Sequence, residues 1–295
     1  MIAEAALTGV SVLAFLAQAL SITMPYALAA VGGSLSERAG VIALGLEGMM
    51  LGGAWAAAFV GHASDSAALG AVAGVTAGLV LAAVYGLVVL RFAADQVVSA
   101  VALNLLALGL TPFLLELAYG SSASSPKSPG LAPDVLAEPL FWVAWLAIGA
   151  AAFAVAKTPF GLRLRAVGDH PDAAESVGVD VMRVRWIAVL ACGAFTGLGG
   201  AWLALSAAGF VDEMSGGRGY IALAAVIMGK WRPLAAALAC LFFGLADTLQ
   251  LTLQGSAGPE VPRELVQVLP YVLTLIALAG FIGRSRAPHA LGRPR

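Results

Sequence analysis

Four strongly polar side chains lie inside long apolar stretches of the sequence: Glu47, Asn104, Asp247 and Gln250. Ionisable groups are costly inside a membrane and usually face a water-filled route or a polar partner. Asp247 and Gln250 are three residues apart, so a helix would place both on one face. We therefore interpret the four residues as candidates for a polar translocation pathway. The alternative is that neighbouring helices satisfy each side chain locally.

A second candidate is the long charged stretch at residues 157–186. Pro171 is favoured in the first turn of a helix, and Gly178 can end a helix in a left-handed conformation. A short amphipathic helix along the membrane surface is therefore predicted between them. Its candidate functional residues are Gly168, Asp169, Pro171, Asp172, Ala173, Ala174, Glu175 and Gly178. The alternative is a basic loop that only fixes the orientation of the chain.

The composition indicates a membrane protein. Hydrophobic residues make up 60% of the 295 residues and charged residues 11%, and the mean hydropathy is +0.92. Soluble domains carry about 25% charged residues. The net charge of −1 gives no reason to expect a nucleic-acid partner.

The sequence offers no group of residues for covalent chemistry. It contains no P-loop for ATP, no H-E-x-x-H motif and no G-x-S-x-G motif. The three histidines lie in predicted loops or in the tail, and Cys192 and Cys240 stand in separate apolar segments. We therefore expect no catalytic residue, no metal and no cofactor in this chain.

The elements that must position these residues are apolar segments long enough to cross a membrane, which takes about 20 residues as a helix. One of them, the segment 218–230, is too short to cross alone, so it is predicted to be a half-helix or a re-entrant piece. The fold class is therefore an all-α transmembrane bundle of about 8–10 membrane segments, in one domain over residues 1–295. The predicted segments are 6–33, 38–60, 67–90, 96–118, 139–156, 187–209, 218–230, 233–254 and 264–283.

The distribution of Lys and Arg predicts the orientation. Basic residues concentrate in 157–186, at 230–232 and in the C-terminal tail, so these regions should be cytoplasmic. The loop 119–138 holds few basic residues and should be external. If 218–230 crosses the membrane, the N-terminus lies outside and the C-terminus in the cytoplasm. Arg218 and Arg263 fall on the outer side in this scheme, against the rule.

Local patterns also predict where helices begin. Residues 34–37 (SLSE) have the capping-box pattern and precede the apolar run 41–60. Asp95 can cap the helix that follows it. The first segment is too long for one straight span and contains Pro25, so it is expected to tilt, to kink there or to break into two pieces.

Several short motifs follow one another in order along the chain: 36–42 (SERAGVI), 45–50 (GLEGMM), 94–99 (ADQVVS) with Asn104, 161–168 (GLRLRAVG), 218–227 (RGYIALAAVI), 229–234 (GKWRPL) and 244–247 (GLAD). Together they resemble those of ATP-binding-cassette (ABC) importer permeases of the ribose/branched-chain amino acid type. The branch to which the chain is most similar is the shorter permease of nucleoside importers that use a basic-membrane-protein-type lipoprotein receptor. Ala43 departs from the family, which usually has Asn there.

This resemblance implies a type II importer permease in a bacterial or archaeal plasma membrane. It implies three protein partners: a cytoplasmic ABC ATPase, a second homologous permease and an extracytoplasmic substrate-binding lipoprotein. Residues 172–178 (DAAESVG) are close to the E-A-A-x-x-x-G loop by which such permeases engage the ATPase, with Asp172 in place of Glu. The chain itself also contacts membrane lipid and performs no ATP hydrolysis.

We interpret the chain as the permease subunit of an ABC importer, with nucleosides as the first expected solute. Sugars such as ribose or galactofuranose, and branched-chain amino acids, are alternatives. A different class, an ion-coupled secondary transporter, would use Glu47 or Asp247 and would need no ATPase. A membrane-embedded enzyme lacks a catalytic cluster.

Overall fold

A computed structural model describes residues 9–132, 134–256, 272 and 286–293. Regular structure in these residues is helical, apart from one isolated bridge between Ser124 and Val211. The α-helices are α1 (Gly9–Arg38), α2 (Leu46–Ser64), α3 (Ala67–Gly86, continued by a π-helical turn Leu87–Arg91), α4 (Gln96–Tyr119), α5 (Pro139–Lys157), α6 (Pro159–Asp169), α7 (Pro171–Ser176), α8 (Val181–Ser206), α9 (Arg218–Met228) and α10 (Pro233–Ser256).

Six of the described helices are long and apolar enough to cross a membrane: α1, α3, α4, α5, α8 and α10. This confirms the predicted all-α membrane bundle. The short seventh segment is an 11-residue helix, α9. At 1.5 Å per residue it is about 16 Å long, roughly half of the hydrocarbon thickness. The predicted segment 264–283, apart from position 272, lies outside the described residues.

Helix α8 packs against α1, α2 and α3 and forms the centre of the bundle. Small residues allow a close approach between α8 and α3. A Cβ on Gly78 or on Gly193 would collide with the backbone of the other helix. Helices often associate in lipid through such small-residue contacts, because burial of apolar side chains there contributes little to helix association.

The first helix passes through Pro25 without a break. Proline cannot donate to the carbonyl four residues earlier, so the Ser21 oxygen loses its helical partner. The indole Nε1 of Trp202 donates to that oxygen at 3.0 Å. A buried side chain of α8 thus stabilises α1 at its proline.

The capping box predicted at residues 34–37 is wrong. These residues form the last turn of α1, which ends at Arg38, and α2 begins only at Leu46. The Ser36 hydroxyl donates to the oxygen of Val41, so it stabilises the turn after α1 instead of starting a helix. Ser and Glu bond to the backbone at either kind of helix end, and the local pattern does not separate the two.

The segment between α1 and α2, residues 39–45, is irregular inside the bundle. Backbone groups there must find partners from protein, because lipid supplies none. Gln96 accepts from the Ile42 nitrogen at 2.8 Å, and the Tyr85 hydroxyl donates to the Ile42 oxygen at 2.7 Å. The segment is therefore held by side chains from α3 and α4.

Asp95 caps α4 as predicted. Its Oδ1 accepts from the backbone nitrogens of Val97 and Val98, both at 2.9 Å.

Candidate functional site

The start of α9 is held by the carboxylate of Glu47, in the first turn of α2. Glu47 Oε1 accepts from the Gly217 nitrogen at 2.8 Å, and Oε2 accepts from the Gly219 nitrogen at 2.7 Å. Glu47 is 5% exposed. A buried carboxylate is favoured there because helix N-termini carry unpaired N–H groups and partial positive charge.

The contact between α2 and α9 leaves no room for a side chain at position 219. A Cβ on Gly219 would lie 2.5 Å from the Glu47 nitrogen. Gly216 and Gly217, directly before α9, have φ values of 52° and 81°. These glycines allow the chain to turn and bring the start of α9 against α2.

A second arm of the site joins Arg218 to Asp247 of α10 through Tyr26 of α1. The Arg218 guanidinium lies 5.9 Å from the centre of the Tyr26 ring, in a cation–π contact. The Tyr26 hydroxyl donates to Asp247 Oδ2 at 2.5 Å. Three helices thus contribute charged or polar groups to one cluster, in which Tyr26 is buried and Arg218 and Asp247 are half-buried.

Asn104 of α4 completes the cluster from the opposite side of α9. Its Oδ1 accepts from the Gly48 nitrogen at 2.9 Å. Its Nδ2 donates to the Leu44 oxygen at 2.9 Å and to the Tyr220 hydroxyl at 3.0 Å. These three bonds join α4 to the start of α2 and to α9, and one lone pair of the Asn104 oxygen has no partner among them.

The other end of α9 is anchored on the last turn of α1. The Trp231 indole donates to Glu37 Oε2 at 2.6 Å, and Arg38 Nη1 donates to the Trp231 oxygen at 2.9 Å. Both Lys230 and Trp231 have positive φ, 52° and 56°. The half-helix α9 is therefore bound at each end by a buried glutamate, Glu47 at one and Glu37 at the other.

The structure brings together three of the four residues predicted for a pathway. Glu47, Asn104 and Asp247 all surround the start of α9. Gln250 is half-buried one turn beyond Asp247, and within the described residues we find no hydrogen bond from it to the cluster.

We name Glu47, Asn104, Tyr26, Arg218 and Asp247 the α9 cluster. It offers carboxylate, amide and hydroxyl groups at one partly buried place, which suits recognition of a polar solute or gating by movement of α9.

Sequence reasoning missed Tyr26 and Arg218. Tyr26 carries no signal, because one tyrosine in an apolar helix is common. Arg218 did carry one, because it violated the expected charge asymmetry of the loops. Its position in a partly buried cluster, with bonds from Nη1 to the oxygens of Met214 and Ser215, explains that violation.

The second candidate region forms two short helices, α6 and α7, as predicted for the segment after Pro171. Asp169, Asp172, Ala173 and Glu175 are exposed on this surface, and Pro171 is half-buried at the start of α7. Gly178 follows α7 with φ of +83°, a left-handed conformation. A groove of about 980 Å³ lies beside α7, and Asp172 and Glu175 contribute to its lining.

Ala174, a candidate contact residue in the sequence analysis, faces inward instead of toward a partner. It is 3% exposed and packs in the core with Leu164 and Val184 of this same chain. Its size is thus explained by internal packing, whereas Ala173 is the alanine open to a partner. Gly168 is also internal, because a Cβ there would collide with the oxygen of Arg38.

The tail segment 286–293 covers part of this surface. The Ala290 nitrogen donates to the Gly168 oxygen at 2.8 Å, and the Gly292 nitrogen donates to the Gly40 oxygen at 3.2 Å. Ala290 is 2% exposed. The tail therefore links α6 to the irregular segment between α1 and α2.

Comparison with known proteins gives relatives over nearly the whole chain. The guanosine ABC transporter permease protein NupQ of Bacillus subtilis is 40% identical, covering 92% of each chain. The nucleoside ABC transporter permease protein NupC of Lactococcus lactis is 34% identical, covering 94% of each. The guanosine ABC transporter permease protein NupP of Bacillus subtilis is 25% identical, covering 87% of this chain and 79% of its own.

The family described as "Branched-chain amino acid transport system / permease component" matches residues 15–278. The matched residues include α1 from residue 15 onward and all of α2 to α10. They therefore contain the whole α9 cluster and the exposed surface of α6 and α7, residues 159–176, which we call the α6–α7 surface. This chain belongs to that family of membrane permease components.

Proposed function

We propose that this chain is the permease subunit of an ABC importer for nucleosides. The observation that carries the proposal is the similarity at 40% and 34% identity, over more than 90% of the chain, to permeases named for guanosine and nucleosides. The α9 cluster supports it physically. Nucleosides carry ribose hydroxyls and base edges, which carboxylate, amide and tyrosine groups can hydrogen-bond.

The α9 cluster is proposed to form part of the solute route. A half-helix with an N-terminus deep in the bundle is the arrangement by which many transporters expose backbone N–H groups to a solute. Glu47 occupies those groups here. We infer that movement of α9 away from Glu47 changes access through the bundle.

The α6–α7 surface is proposed to couple this chain to a cytoplasmic ATPase. The candidate contact residues are the exposed Asp172, Ala173 and Glu175. Ala174 lies in the same core cluster as Val184 of α8, so a push on α7 would reach the centre of the bundle.

The α6–α7 surface would be cytoplasmic, with the tail on the same side, because Ala290 bonds to Gly168. The N-terminus would lie outside. Helix α9 is too short to cross alone, but the chain there runs from Val211, paired with Ser124, to Trp231, bonded to Arg38 at the end of α1.

Two further partners complete the proposed importer. Bacillus subtilis has two permeases named for guanosine, NupQ and NupP, and both resemble this chain. That supports a second, homologous permease beside it. An extracytoplasmic lipoprotein would deliver the solute at the loop 119–138.

Uptake by proteoliposomes tests the proposal. This chain, the second permease and the ATPase are reconstituted with the receptor, and labelled guanosine, ribose, glucose and leucine are supplied in separate samples. We expect guanosine to accumulate only with ATP. Accumulation driven by a proton or sodium gradient without ATP would instead support a secondary transporter, and uptake of a sugar or leucine alone would change the solute.

A further inference from the structure

A groove of about 710 Å³ runs between α5 and α10 on the outside of the bundle. Gly149 and Phe153 of α5 line it on one side, and Leu234 and Leu238 of α10 line it on the other. Phe153 is 64% exposed, and the two leucines are 51% and 52% exposed. Because α5 and α10 are membrane-spanning, the groove opens toward lipid.

One end of this groove is strongly cationic. Four basic side chains line it there: Arg38, Lys157, Arg165 and Arg232. Among the described residues, no carboxylate lines the groove. An adjoining pocket of about 490 Å³ shares the three arginines, adds Lys230 and Arg286, and includes one carboxylate, Asp169. The site therefore has an excess of positive charge where the membrane spans end.

The guanidinium groups keep donors for a ligand. Arg38 Nη1 donates to the Trp231 oxygen, and Arg165 Nε donates to the Gly161 oxygen at 3.1 Å. Each guanidinium carries five N–H donors in a geometry that suits phosphate oxygens. One backbone bond apiece fixes these side chains and leaves most donors available.

The apolar part of the groove is long enough for part of an acyl chain. Gly149 lies eight residues before Lys157, which is about 12 Å along the helix axis. The Gly149 position is open, because a Cβ there would meet no atom within 4 Å. A ligand bound to the four cations could therefore lay a hydrocarbon chain along α5 into the bilayer.

We propose that this groove binds an anionic phospholipid from the membrane leaflet on the side of α6 and α7. Basic pockets between membrane helices are suited to phosphate headgroups, and the apolar floor suits an acyl chain. The phosphate contacts residues at the ends of α1, α6 and α10 at once. Bound lipid would therefore connect Arg38, which holds Trp231 at the end of α9, to α6 and α7, the helices proposed to contact the ATPase. The inference stands apart from the identity of the transported solute.

Native mass spectrometry of the purified full-length chain tests the site. Delipidated protein is titrated with phosphatidylglycerol, with zwitterionic phosphatidylcholine, and with glycerol phosphate as a chainless headgroup. We expect phosphatidylglycerol to bind more than tenfold more tightly than either of the others. Equal binding of phosphatidylcholine, or full binding by glycerol phosphate, would contradict the proposal.

Two variants locate the lipid. Lys157→Gln with Arg232→Gln should weaken phosphatidylglycerol binding about 25-fold, at about fivefold for each charge removed. Gly149→Leu should weaken it about fifteenfold, because the side chain displaces about two chain methylenes. Unchanged affinity in either variant would overturn a site that spans both the cations and the groove.

Matched controls exclude general effects of charge or bulk. Arg163→Gln with Arg183→Gln removes two exposed charges from the same face that do not line the groove. Gly109→Leu adds the same side chain at an exposed, open glycine of α4. Both should bind phosphatidylglycerol as wild type does. A loss in these controls equal to that in the test variants would also reject the site.

Discussion

At the scale of single residues, buried charge is compensated by hydrogen bonds from parts of the chain remote in sequence. Glu47 receives two backbone N–H groups from residues 170 and 172 positions away. Glu37 receives the Trp231 indole from 194 positions away. An uncompensated carboxylate in a bilayer would cost about 2.5–3.5 kcal/mol on insertion scales. These two glutamates therefore stabilise one particular placement of α9.

Glu47→Gln should destabilise the chain and reduce solute uptake. The glutamine side chain has a single acceptor oxygen, whereas the glutamate accepts from two backbone nitrogens. Its NH₂ group would face the other backbone N–H, which is also a donor. Loss of one charge-assisted bond costs about 1.5–3 kcal/mol. Thermal unfolding of the purified chain and uptake in proteoliposomes measure the two effects. Glu116→Gln, at an exposed position of α4, is the matched control and should change neither. Equal unfolding temperatures for wild type and Glu47→Gln would refute the role assigned to this carboxylate.

Tyr26 and Asp247 should behave as a coupled pair. Their 2.5 Å hydrogen bond lies in a partly buried cluster, so the two single changes are not independent. A double-mutant cycle with Tyr26→Phe and Asp247→Leu, each of which removes the bond, should give an interaction energy of about 1–3 kcal/mol in the free energy of unfolding. The control cycle pairs Tyr26→Phe with Gln250→Leu, and its effects should add. Additivity in both cycles would mean that the bond contributes nothing measurable.

At the scale of helices, local patterns located six of the predicted spans, and they misplaced the breaks between helices. The helix in the predicted span 38–60 is α2, which is not one of the six helices long and apolar enough to cross. Asp95 was identified as a cap because its partners are two and three residues away. The end of α1 was mistaken for the start of α2, because the partners that stabilise residues 39–45 come from Gln96 and Tyr85. Spacing along the chain carries no information about such distant contacts. For the same reason the sequence suggested Glu47, Asn104 and Asp247 singly, without the helix that unites them.

Glycine substitutions test how α9 meets α2. Gly219→Ala should destabilise the chain, although alanine favours a helix by up to about 1 kcal/mol over glycine. Its Cβ would lie 2.5 Å from the Glu47 nitrogen, and overpacking of that kind costs about 1–3 kcal/mol and displaces the hydrogen bonds as well. Gly109→Ala, at an open position in α4, should be neutral or stabilising by up to about 1 kcal/mol. Thermal unfolding of the two variants should therefore shift in opposite directions, and a shared direction would argue against the close contact.

At the scale of the whole molecule, the α9 cluster and the α6–α7 surface are connected through the core. Ala174 of α7 and Ala222 of α9 belong to one continuous set of buried apolar residues. The anchor at Arg38 also touches both regions, since Gly168 packs on its oxygen and its guanidinium bonds to Trp231. Rigid packing of this kind transmits displacement instead of absorbing it.

Cysteine labelling tests the proposed orientation. Ser176 at the end of α7 and Ser124 in the loop 119–138 are both exposed, whereas Cys192 and Cys240 are buried. In a background where both native cysteines are replaced by alanine, Ser124→Cys should react with an impermeant maleimide added to whole cells. Ser176→Cys should react only after the membrane is opened. Labelling of both positions in whole cells would reject a cytoplasmic α7, and the unsubstituted background supplies the zero level.

Substitutions in α7 separate coupling from folding. Ala173→Arg places a charged side chain on an exposed position, so the chain should insert and unfold as wild type does. If α7 seats against the ATPase, the same arginine should overfill that contact, at a cost of about 1–3 kcal/mol, and lower ATPase recruitment and uptake together.

Ala174→Arg differs because position 174 is buried in this chain, and it should lower the unfolding temperature itself. Ala123→Arg, exposed in the loop 119–138, is the control for added charge on the other face. Co-purification of the ATPase with each variant, beside its thermal unfolding, distinguishes the cases. Normal recruitment and uptake by Ala173→Arg would leave α7 as a loop that only sets topology, and the coupling proposal would then fail even if nucleoside uptake itself were confirmed.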